Sequence, residues 1–191
     1  MGAIVVLGGC GGIGSVASRS LVAAGEEIVV ADVDVDRAQA LATELGARAI
    51  AVDASSQESL TSAMTGADVV LNCVGPFYRF GPPILAAAIA AGVDYVDVCD
   101  DLAPTRVMLA MDDAARAAAV TALIGMGNSP GIANVFVRLC ADQLLDEVET
   151  VDIMHVHGGE PEEGAGVLKH RIHAMVNPVP LFVDCGFVEV Q

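Results

Sequence analysis

Three glycines near the N-terminus have a spacing that suits a phosphate-binding turn. Gly9, Gly11 and Gly14 follow the pattern G-x-G-x-x-G, directly after the apolar run Ala3–Leu7. We expect Gly9 to permit a tight turn out of a strand and Gly11 to let a pyrophosphate approach the backbone. We expect Gly14 to let a helix pack closely on that strand. A tight turn without a ligand is the alternative interpretation.

Two backbone N–H groups and one carboxylate extend this motif. The N–H groups of Gly12 and Ile13 would open the helix and face an anion, with the help of the helix dipole. Asp32 ends the next apolar run, where a βαβ unit places the adenosine ribose. Because a carboxylate accepts hydrogen bonds from ribose hydroxyls and repels a 2′-phosphate, the pattern favours NAD over NADP. Arg37 is compatible with the 2′-phosphate, so NADP is not excluded. The alternative role for Asp32 is that of a helix N-cap.

Residues after two further apolar runs are expected to border the same cofactor. Asp53 and Ala54 follow the third predicted strand and are expected beside the adenine. Cys73 ends the fourth predicted strand and is expected to border the cofactor, and Gly75 and Pro76, which follow it, are expected to line the nicotinamide half. An ordinary strand-to-helix loop is the alternative for this last segment, and apolar packing is the alternative for the cysteine.

All four histidines fall within one stretch of the sequence: His155, His157, His170 and His173. The first two would share a face of a strand, and the last two would share a face of a helix. They would bind a metal, line a substrate pocket with Lys169 and Arg171, or pack in an interface. Because neither spacing is a specific zinc signature, we predict no metal site.

Four side chains are candidates for work on a substrate: Tyr78, Asp97, Lys169 and His170. Lys169 would pair with a substrate carboxylate, or exchange a proton if burial lowers its pKa. His170 is the other candidate for proton transfer. Asp97 belongs to a carboxylate cluster with Asp100 and Asp101, which would serve acid–base chemistry, bind an ammonium group, or simply cap a helix.

Short strands and helices must alternate to position these residues. Strands are predicted at 3–7, 28–31, 47–52, 69–73, 95–98 and 120–124, and helices at 12–24, 37–45, 56–64, 82–91 and 105–119. Alternation of this kind predicts a doubly wound α/β fold, with a parallel sheet covered by helices on both faces. Right-handed crossovers favour the strand order 3-2-1-4-5-6.

The pattern changes at the glycine-rich loop 125–131, which we interpret as a hinge. Beyond this loop we predict a helix at 132–145, a strand at 149–157, a polar loop at 158–164, a helix at 164–175 and a hairpin formed by 181–184 and 187–190. We therefore place a dinucleotide-binding domain at 1–128 and the start of an α+β substrate and dimerisation domain at 129–191. The second region is too short for its own core, so we expect it to be truncated or completed by another subunit.

Composition narrows the classes of partner. The chain has 25 acidic and 9 basic residues, a net charge of −16, which disfavours nucleic acid and anionic membranes. Five scattered cysteines and the absence of a long apolar run predict a cytoplasmic protein with reduced thiols.

Four stretches resemble the saccharopine dehydrogenase / saccharopine reductase-like family: GGCGGIG at 8–14, VLNCVGPFYRFGPPILAAAIAAGVDYVDVCDD at 70–101, GNSPGIANVF at 127–136 and HVHGGEPEEGAGVLKHRIHAM at 155–175. The resemblance implies a Rossmann domain and an NAD(P)-dependent oxidoreductase that interconverts an amine and an imine, as in lysine 6-dehydrogenase. It also implies an amino acid or amine as substrate, and a second domain that carries the pocket and a dimer contact. A non-catalytic dinucleotide-binding or oligomerisation module, and an enoyl or carbonyl reductase, are the alternatives.

Overall fold

The computed structural model describes residues 2–156, 165–183 and 185–190. Six strands form one parallel sheet: β1 Ala3–Leu7, β2 Ile28–Asp32, β3 Arg48–Ala51, β4 Ala67–Asn72, β5 Asp94–Asp97 and β6 Ala122–Leu123. Their order is β3-β2-β1-β4-β5-β6, which confirms the predicted doubly wound topology. Two further strands, β7 Val179–Val183 and β8 Gly186–Val190, form the predicted antiparallel hairpin.

Eight helices connect or follow the strands in the described part of the chain: α1 Gly12–Ala23, α2 Val35–Leu45, α3 Gln57–Met64, α4 Phe77–Ala91, α5 Leu102–Leu109, α6 Asp112–Ala117, α7 Ile132–Gln143 and α8 Ala165–Val176. The ends of α2 show why these bounds arise. Asp34 accepts a hydrogen bond from the Arg37 N–H at the N-terminus, and Gly46 adopts a left-handed conformation at the C-terminus.

The core lies on both faces of the sheet, because side chains alternate along each strand. Val5 and Leu7 of β1 belong to the larger apolar cluster, which includes residues of α3 and α4. Val6, between them, belongs to the smaller cluster with residues of α2. This alternation with a period of two fixes the register of the central strand, since a slip of one residue would exchange the two faces.

Helix α4 begins earlier than the sequence predicts. We expected a loop through Gly81 and placed Pro82 and Pro83 in the first turn, but the helix starts at Phe77 and both prolines lie inside it. Phe77, Gly81 and Ile84 are buried at helical spacing, so packing of this face extends the helix ahead of the prolines.

The single helix predicted over 105–119 is divided in two. The Met111 N–H donates to the Met108 carbonyl at 3.0 Å, a tight i to i−3 bond that closes α5 before α6 begins. Met108 is buried and Met111 packs against the same cluster, so both methionines face the core across the break. Apolar spacing did not reveal this break, because both halves bury residues on one side.

The strand predicted over 149–157 is wrong for 149–156, which contain no strand, and His157 lies outside the described residues. Met154 and Val156 are almost fully exposed, and none of the described strands pairs with this segment. Its composition suits a strand, but a strand needs a partner. In the described part of the chain, no helix has the length and apolarity needed to cross a membrane.

Candidate dinucleotide-binding site

The central crevice of the sheet opens where the strand order reverses. Leu7 at the end of β1 pairs in register with Ala31 of β2 on one side and with Asn72 of β4 on the other. The chain leaves β1 and β4 in opposite directions along the sheet, so the loops after these strands separate. Ligands of open α/β sheets bind in such crevices, at the carboxyl ends of the strands.

The glycine-rich loop after β1 differs from the prediction in one position. Gly8, rather than Gly9, makes the turn, with φ of +70°. A side chain on Gly9 would instead place its Cβ 2.7 Å from the Val6 carbonyl oxygen, so contact and not conformation requires glycine there. A Cβ on Gly14 would collide with the Gly8 carbonyl oxygen, as expected of a helix packed tightly on the turn.

The first turn of α1 is suited to an anion. The helix starts at Gly12 after the N-cap Gly11, which has no side chain to cap it, and the first turn has no acidic residue. A Cβ on Gly12 would meet nothing within 4 Å, so the backbone here is accessible from the crevice. The N–H groups of Gly12 and Ile13 therefore fit the phosphates of a dinucleotide.

A buried hydroxyl supports this loop from below. Ser18 is fully buried on α1, and its Oγ donates to the Gly9 carbonyl oxygen at 3.3 Å. A serine inside a helix is not an obvious part of a phosphate-binding motif, so the sequence alone does not point to Ser18.

Two oppositely charged side chains hold the peptide groups of Cys10. The Asp32 carboxylate accepts from the Cys10 N–H at 3.3 Å, and the Arg37 guanidinium donates to the Cys10 carbonyl at 2.9 Å. The second Asp32 oxygen accepts from the Asp34 N–H at 3.1 Å. Asp34 is the N-cap of α2, so the alternative role of Asp32 as a helix cap is wrong. Asp32 and Arg37 thus lie together beside the loop, where the adenosine ribose of a dinucleotide is expected.

The other wall of the crevice follows β4. A Cβ on Gly8 would lie 3.1 Å from the Cys73 carbonyl oxygen, so the turn after β1 is in close contact with the end of β4. Val74 donates from its N–H to the Asn72 side-chain oxygen at 2.9 Å, and Gly75 and Pro76 continue into α4. Cys73 therefore lies beside the glycine-rich turn, and Gly75 and Pro76, which were predicted to line the nicotinamide half, follow it in the loop before α4.

A buried chain of hydrogen bonds runs beneath this wall. Asn72 donates to the Tyr95 hydroxyl at 2.9 Å, and Tyr95 donates to Asp97 Oδ2 at 2.8 Å. Asp97 Oδ1 accepts from the N–H groups of Cys99 and Gly125 at 3.0 and 2.8 Å. Because Asp97 has no exposed surface, we correct its predicted role from substrate contact to support of the crevice.

Asp53 and Ala54 lie just beyond β3, on the predicted adenine side. The Asp53 carboxylate accepts from the hydroxyl and the N–H of Ser55 at 2.6 and 2.8 Å. These hydrogen bonds to Ser55 lower the pKa of the Asp53 carboxyl, which keeps it charged. Asp53 is exposed and Ala54 is half-buried.

His173 is a histidine whose ring contacts the structure describes. Its imidazole stacks on the ring of Tyr78, with centroids 4.3 Å apart and an angle of 23° between planes. One Asn177 side-chain nitrogen lies 2.7 Å from the His173 carbonyl oxygen and 3.1 Å from Nδ1. Since the carbonyl can only accept, that atom is the amide nitrogen, so Nδ1 also accepts and the ring proton is on Nε2.

The other residues of the second region are less tied to the crevice. Lys169 is exposed on α8, His155 is exposed beyond α7, and the side chain of His170 lies outside the described residues. No cluster of three or more metal-ligating residues occurs in the described part of the chain. The structure thus brings Tyr78 together with His173, and Lys169 lies one turn before His173 on α8.

Burial keeps the nearby thiols protonated. Burial, followed by the carboxylate of Asp32, raises the pKa of Cys10 to about 12, and burial raises the pKa of Cys73 to about 12 as well. Cys99, with no exposed surface, has its pKa raised by burial to about 11. These cysteines are therefore apolar packing groups rather than nucleophiles.

Comparison with known proteins agrees with this geometry. Residues 4–123 match the family described as saccharopine dehydrogenase NADP binding domain. Carboxyaminopropylagmatine dehydrogenase of Synechocystis sp. is 27% identical over 168 residues, which are 81% of this chain and 42% of the relative. Trans-acting enoyl reductase of Mycobacterium tuberculosis is 34% identical over 106 residues, 52% of this chain and 25% of the relative.

A solved structure has the same fold. Saccharopine dehydrogenase (L-Glu forming) from Saccharomyces cerevisiae superimposes with a TM-score of 0.62 at 22% identity, over 75% of this chain and 31% of the yeast chain. The present chain spans less than half the length of each of these three proteins.

Proposed function

The chain belongs to the saccharopine dehydrogenase NADP-binding-domain family, and on that premise we propose that it binds a nicotinamide dinucleotide in the crevice between β1 and β4 and acts as an oxidoreductase. The observation that carries this proposal is the cradle at the start of α1. Gly8 makes the turn, Gly14 permits close packing, and the N–H groups at Gly12 and Ile13 have no acidic neighbour in their turn. The turn and the open N–H groups fit a pyrophosphate, and the close packing at Gly14 holds them in place.

We propose NAD as the preferred cofactor, with NADP as the competing ligand. Asp32 offers a carboxylate to the 2′- and 3′-hydroxyls of the ribose and repels a 2′-phosphate. Arg37 works in the other direction, because its guanidinium lies on the same loop and attracts a phosphate. The family description names NADP, so the balance between these two side chains decides the preference.

The proposed reaction is hydride transfer at a C–N bond of an amino acid or amine. The similarity to a carboxyaminopropylagmatine dehydrogenase supports an amine substrate. The bound dinucleotide would supply the hydride acceptor or donor. When an amine is oxidised to an imine, the carbon loses a hydride and the nitrogen loses a proton, so the protein must accept that proton.

Three side chains are proposed for the substrate side: Tyr78, Lys169 and His170. Tyr78 lies in the first turn of α4, immediately after the wall formed by Gly75 and Pro76. Its stacking on His173 adds a histidine whose Nε2–H would donate to a substrate oxygen. Lys169, on the same helix as His173, is an exposed cation that would attract a substrate carboxylate.

Enoyl reduction is a second candidate, because the trans-acting enoyl reductase is 34% identical over about half of the chain. In that reaction the hydride would reach a carbon of a C=C bond, and a proton would be donated to the neighbouring carbon. The cradle serves both reactions equally well, so only the substrate distinguishes them.

Calorimetric titration of the 191-residue chain with NADH and NADPH tests the cofactor proposal. The expected result is saturable binding of both, tighter for NADH. Amino acids, secondary amines and α,β-unsaturated thioesters are then compared by the absorbance of the reduced nicotinamide. Lack of binding of either dinucleotide would overturn the cofactor proposal, whereas binding without turnover on any substrate would favour a non-catalytic module.

We also propose a homodimer formed through the hairpin of β7 and β8. The rings of Phe182 and Phe187 contact each other edge to face, with their centroids 5.1 Å apart, yet both side chains are largely exposed to solvent. An apolar hairpin with free edges tends to pair with another chain. Sedimentation at micromolar concentration should give a dimer, and Phe187→Lys should give a monomer; a monomeric unmodified chain would contradict the proposal.

A further inference from the structure

The hydrogen-bonded chain Asn72–Tyr95–Asp97 joins the ends of two neighbouring strands, β4 and β5. Asn72 ends β4, Asp97 ends β5, and the Tyr95 hydroxyl lies between their side chains at 2.9 and 2.8 Å. All three residues are fully buried. These polar groups lie within an apolar cluster. Burying them would cost folding free energy unless each hydrogen bond of the chain is made.

The direction of each hydrogen bond in this chain is fixed. Burial, with a further contribution from the charge of Asp97, raises the pKa of the Tyr95 hydroxyl far above its ordinary value, so it stays protonated and donates to Asp97. It then accepts from the Asn72 amide nitrogen, which orients the amide so that its oxygen receives the Val74 N–H. The position of one hydroxyl thus determines the orientation of the Asn72 side chain.

Both ends of the chain hold loop backbone rather than other side chains. At one end, Asn72 holds Val74, at the start of the wall that continues to Pro76. At the other end, the Asp97 carboxylate accepts from the Gly125 N–H, and the backbone carbonyl of Asp97 accepts from the Met126 N–H at 2.8 Å. The chain therefore links the wall after β4 to the loop that leads out of the sheet.

We propose that the Tyr95 hydroxyl is a positioning group that sets the nicotinamide side of the crevice and leaves the pyrophosphate side independent of it. This inference rests on the proposed function, since it requires a dinucleotide in the crevice. The pyrophosphate side has its own support, the Ser18 hydroxyl on the Gly9 carbonyl, which belongs to a different strand-to-helix connection. The two walls proposed for the cofactor are thus supported by two separate buried hydroxyls.

Tyr95→Phe removes the hydroxyl and keeps the buried ring. Binding is measured by calorimetry with NADH and with ADP-ribose, which lacks the nicotinamide. We expect NADH to bind about tenfold more weakly, the effect of one lost buried hydrogen bond, and ADP-ribose to change by less than about twofold. The matched control is Ser18→Ala, which removes the other hydroxyl and should weaken both ligands by the same factor.

Asp97→Asn provides a second variant if Tyr95→Phe folds poorly. It keeps an oxygen for the N–H groups of Cys99 and Gly125 and replaces the acceptor of the Tyr95 hydroxyl by a donor. The same selective loss of NADH binding is expected.

The outcomes separate this inference from the proposed function. Equal weakening of NADH and ADP-ribose by Tyr95→Phe, or no change in either, overturns the positioning role. If neither variant folds, the chain serves stability alone and the inference is also overturned. If the unmodified protein fails to bind ADP-ribose, the proposed cofactor site itself is wrong.

Discussion

Tyr78 of α4 stacks on His173 of α8, with ring centroids 4.3 Å apart. The two residues are far apart in sequence, and they connect the helix that follows the wall of the crevice to the region beyond the loop 125–131. A second contact, the ion pair of Arg106 and Glu189 at 3.6 Å, joins α5 to β8. Among the histidine side chains that the structure describes, His173 is thus the one that contacts Tyr78 in the first turn of α4.

The stack is testable by NMR, because the protein has only four histidines. The ring current of Tyr78 should shift the His173 ring protons upfield. Tyr78→Leu should remove this shift and lower stability by about 1 kcal/mol, the size of an aromatic pair contribution. Tyr78→Phe keeps the ring and is the control, which should leave all four histidine signals in place. An unchanged spectrum in Tyr78→Leu would show that α8 does not pack on α4 in solution.

Asp32 and Arg37 should shift the preference between NADH and NADPH in opposite directions. Asp32→Asn removes the charge but keeps an oxygen for the Cys10 N–H, so NADPH should gain about tenfold in affinity relative to NADH. Arg37→Gln should lower NADPH affinity more than NADH affinity. Both ratios are measured by calorimetric titration.

Asp36→Asn is the matched control for these two variants. Asp36 lies beside Arg37 in the first turn of α2. Its substitution therefore removes one nearby negative charge and leaves the hydrogen bonds to Cys10 in place. Its effect on the ratio should stay below about twofold, since exposed charges are well screened. An equal effect of Asp36→Asn and Asp32→Asn would mean that general charge, and not the position of Asp32, sets the preference.

The sequence was a good guide wherever local chemistry decides the structure. The alternation of apolar runs and short loops predicted the strand order. The prediction that the helix packs closely at Gly14 was also correct, because the helix fixes the spacing of this residue from the first strand. The hairpin around Cys185 and Gly186 was also recognised from its two apolar runs.

Features that depend on distant contacts were not predictable in this way. Phe77 starts α4 ahead of two prolines because its face is buried. The segment 149–156 is not a strand, and none of the strands that the structure describes pairs with it. Tyr95 reads as an ordinary strand residue, and only the sheet register brings its hydroxyl between Asn72 and Asp97. Gly8 was overlooked because the motif can be counted from Gly9 without it.

Thiol reactivity should follow burial. With iodoacetamide at pH 8, exposed Cys185 should react first, while buried Cys10 and Cys99 should remain unmodified in the folded protein. With pKa values of about 12 and 11, their thiolate fractions at that pH are only about 1 in 10,000 and 1 in 1,000. Mass spectrometry of the peptides gives the order, and unfolding in guanidinium should make all five cysteines reactive. Equal rates at Cys10 and Cys185 in the folded protein would contradict the burial of the loop.

The same burial predicts a loss of stability in alkali. The pKa of Cys99 is about 11 in the folded protein against an ordinary value of 9.0, so the unfolded chain releases this proton first. The stabilising contribution is therefore complete below about pH 9 and declines as pH rises toward 11, by up to about 1.4 kcal/mol per pH unit. Urea unfolding between pH 8 and pH 10.5 measures the slope. Cys99→Ala should have a shallower slope, and an identical slope would exclude this thiol as the cause.

Gly14→Ala and Gly12→Ala form the sharpest pair of variants for the loop, because both add one methyl group to the same turn of α1. At Gly14 the methyl group would collide with the Gly8 carbonyl oxygen, and neither backbone can move without disturbing the turn. We expect a loss of about 3 kcal/mol or more in stability and no measurable binding of NADH. At Gly12 the methyl group meets nothing within 4 Å, so stability should stay the same or rise by up to about 1 kcal/mol, since alanine favours the helix. Thermal unfolding of both variants checks the prediction, and equal destabilisation would show that α1 does not pack on the turn as closely as the Gly8–Gly14 contact requires.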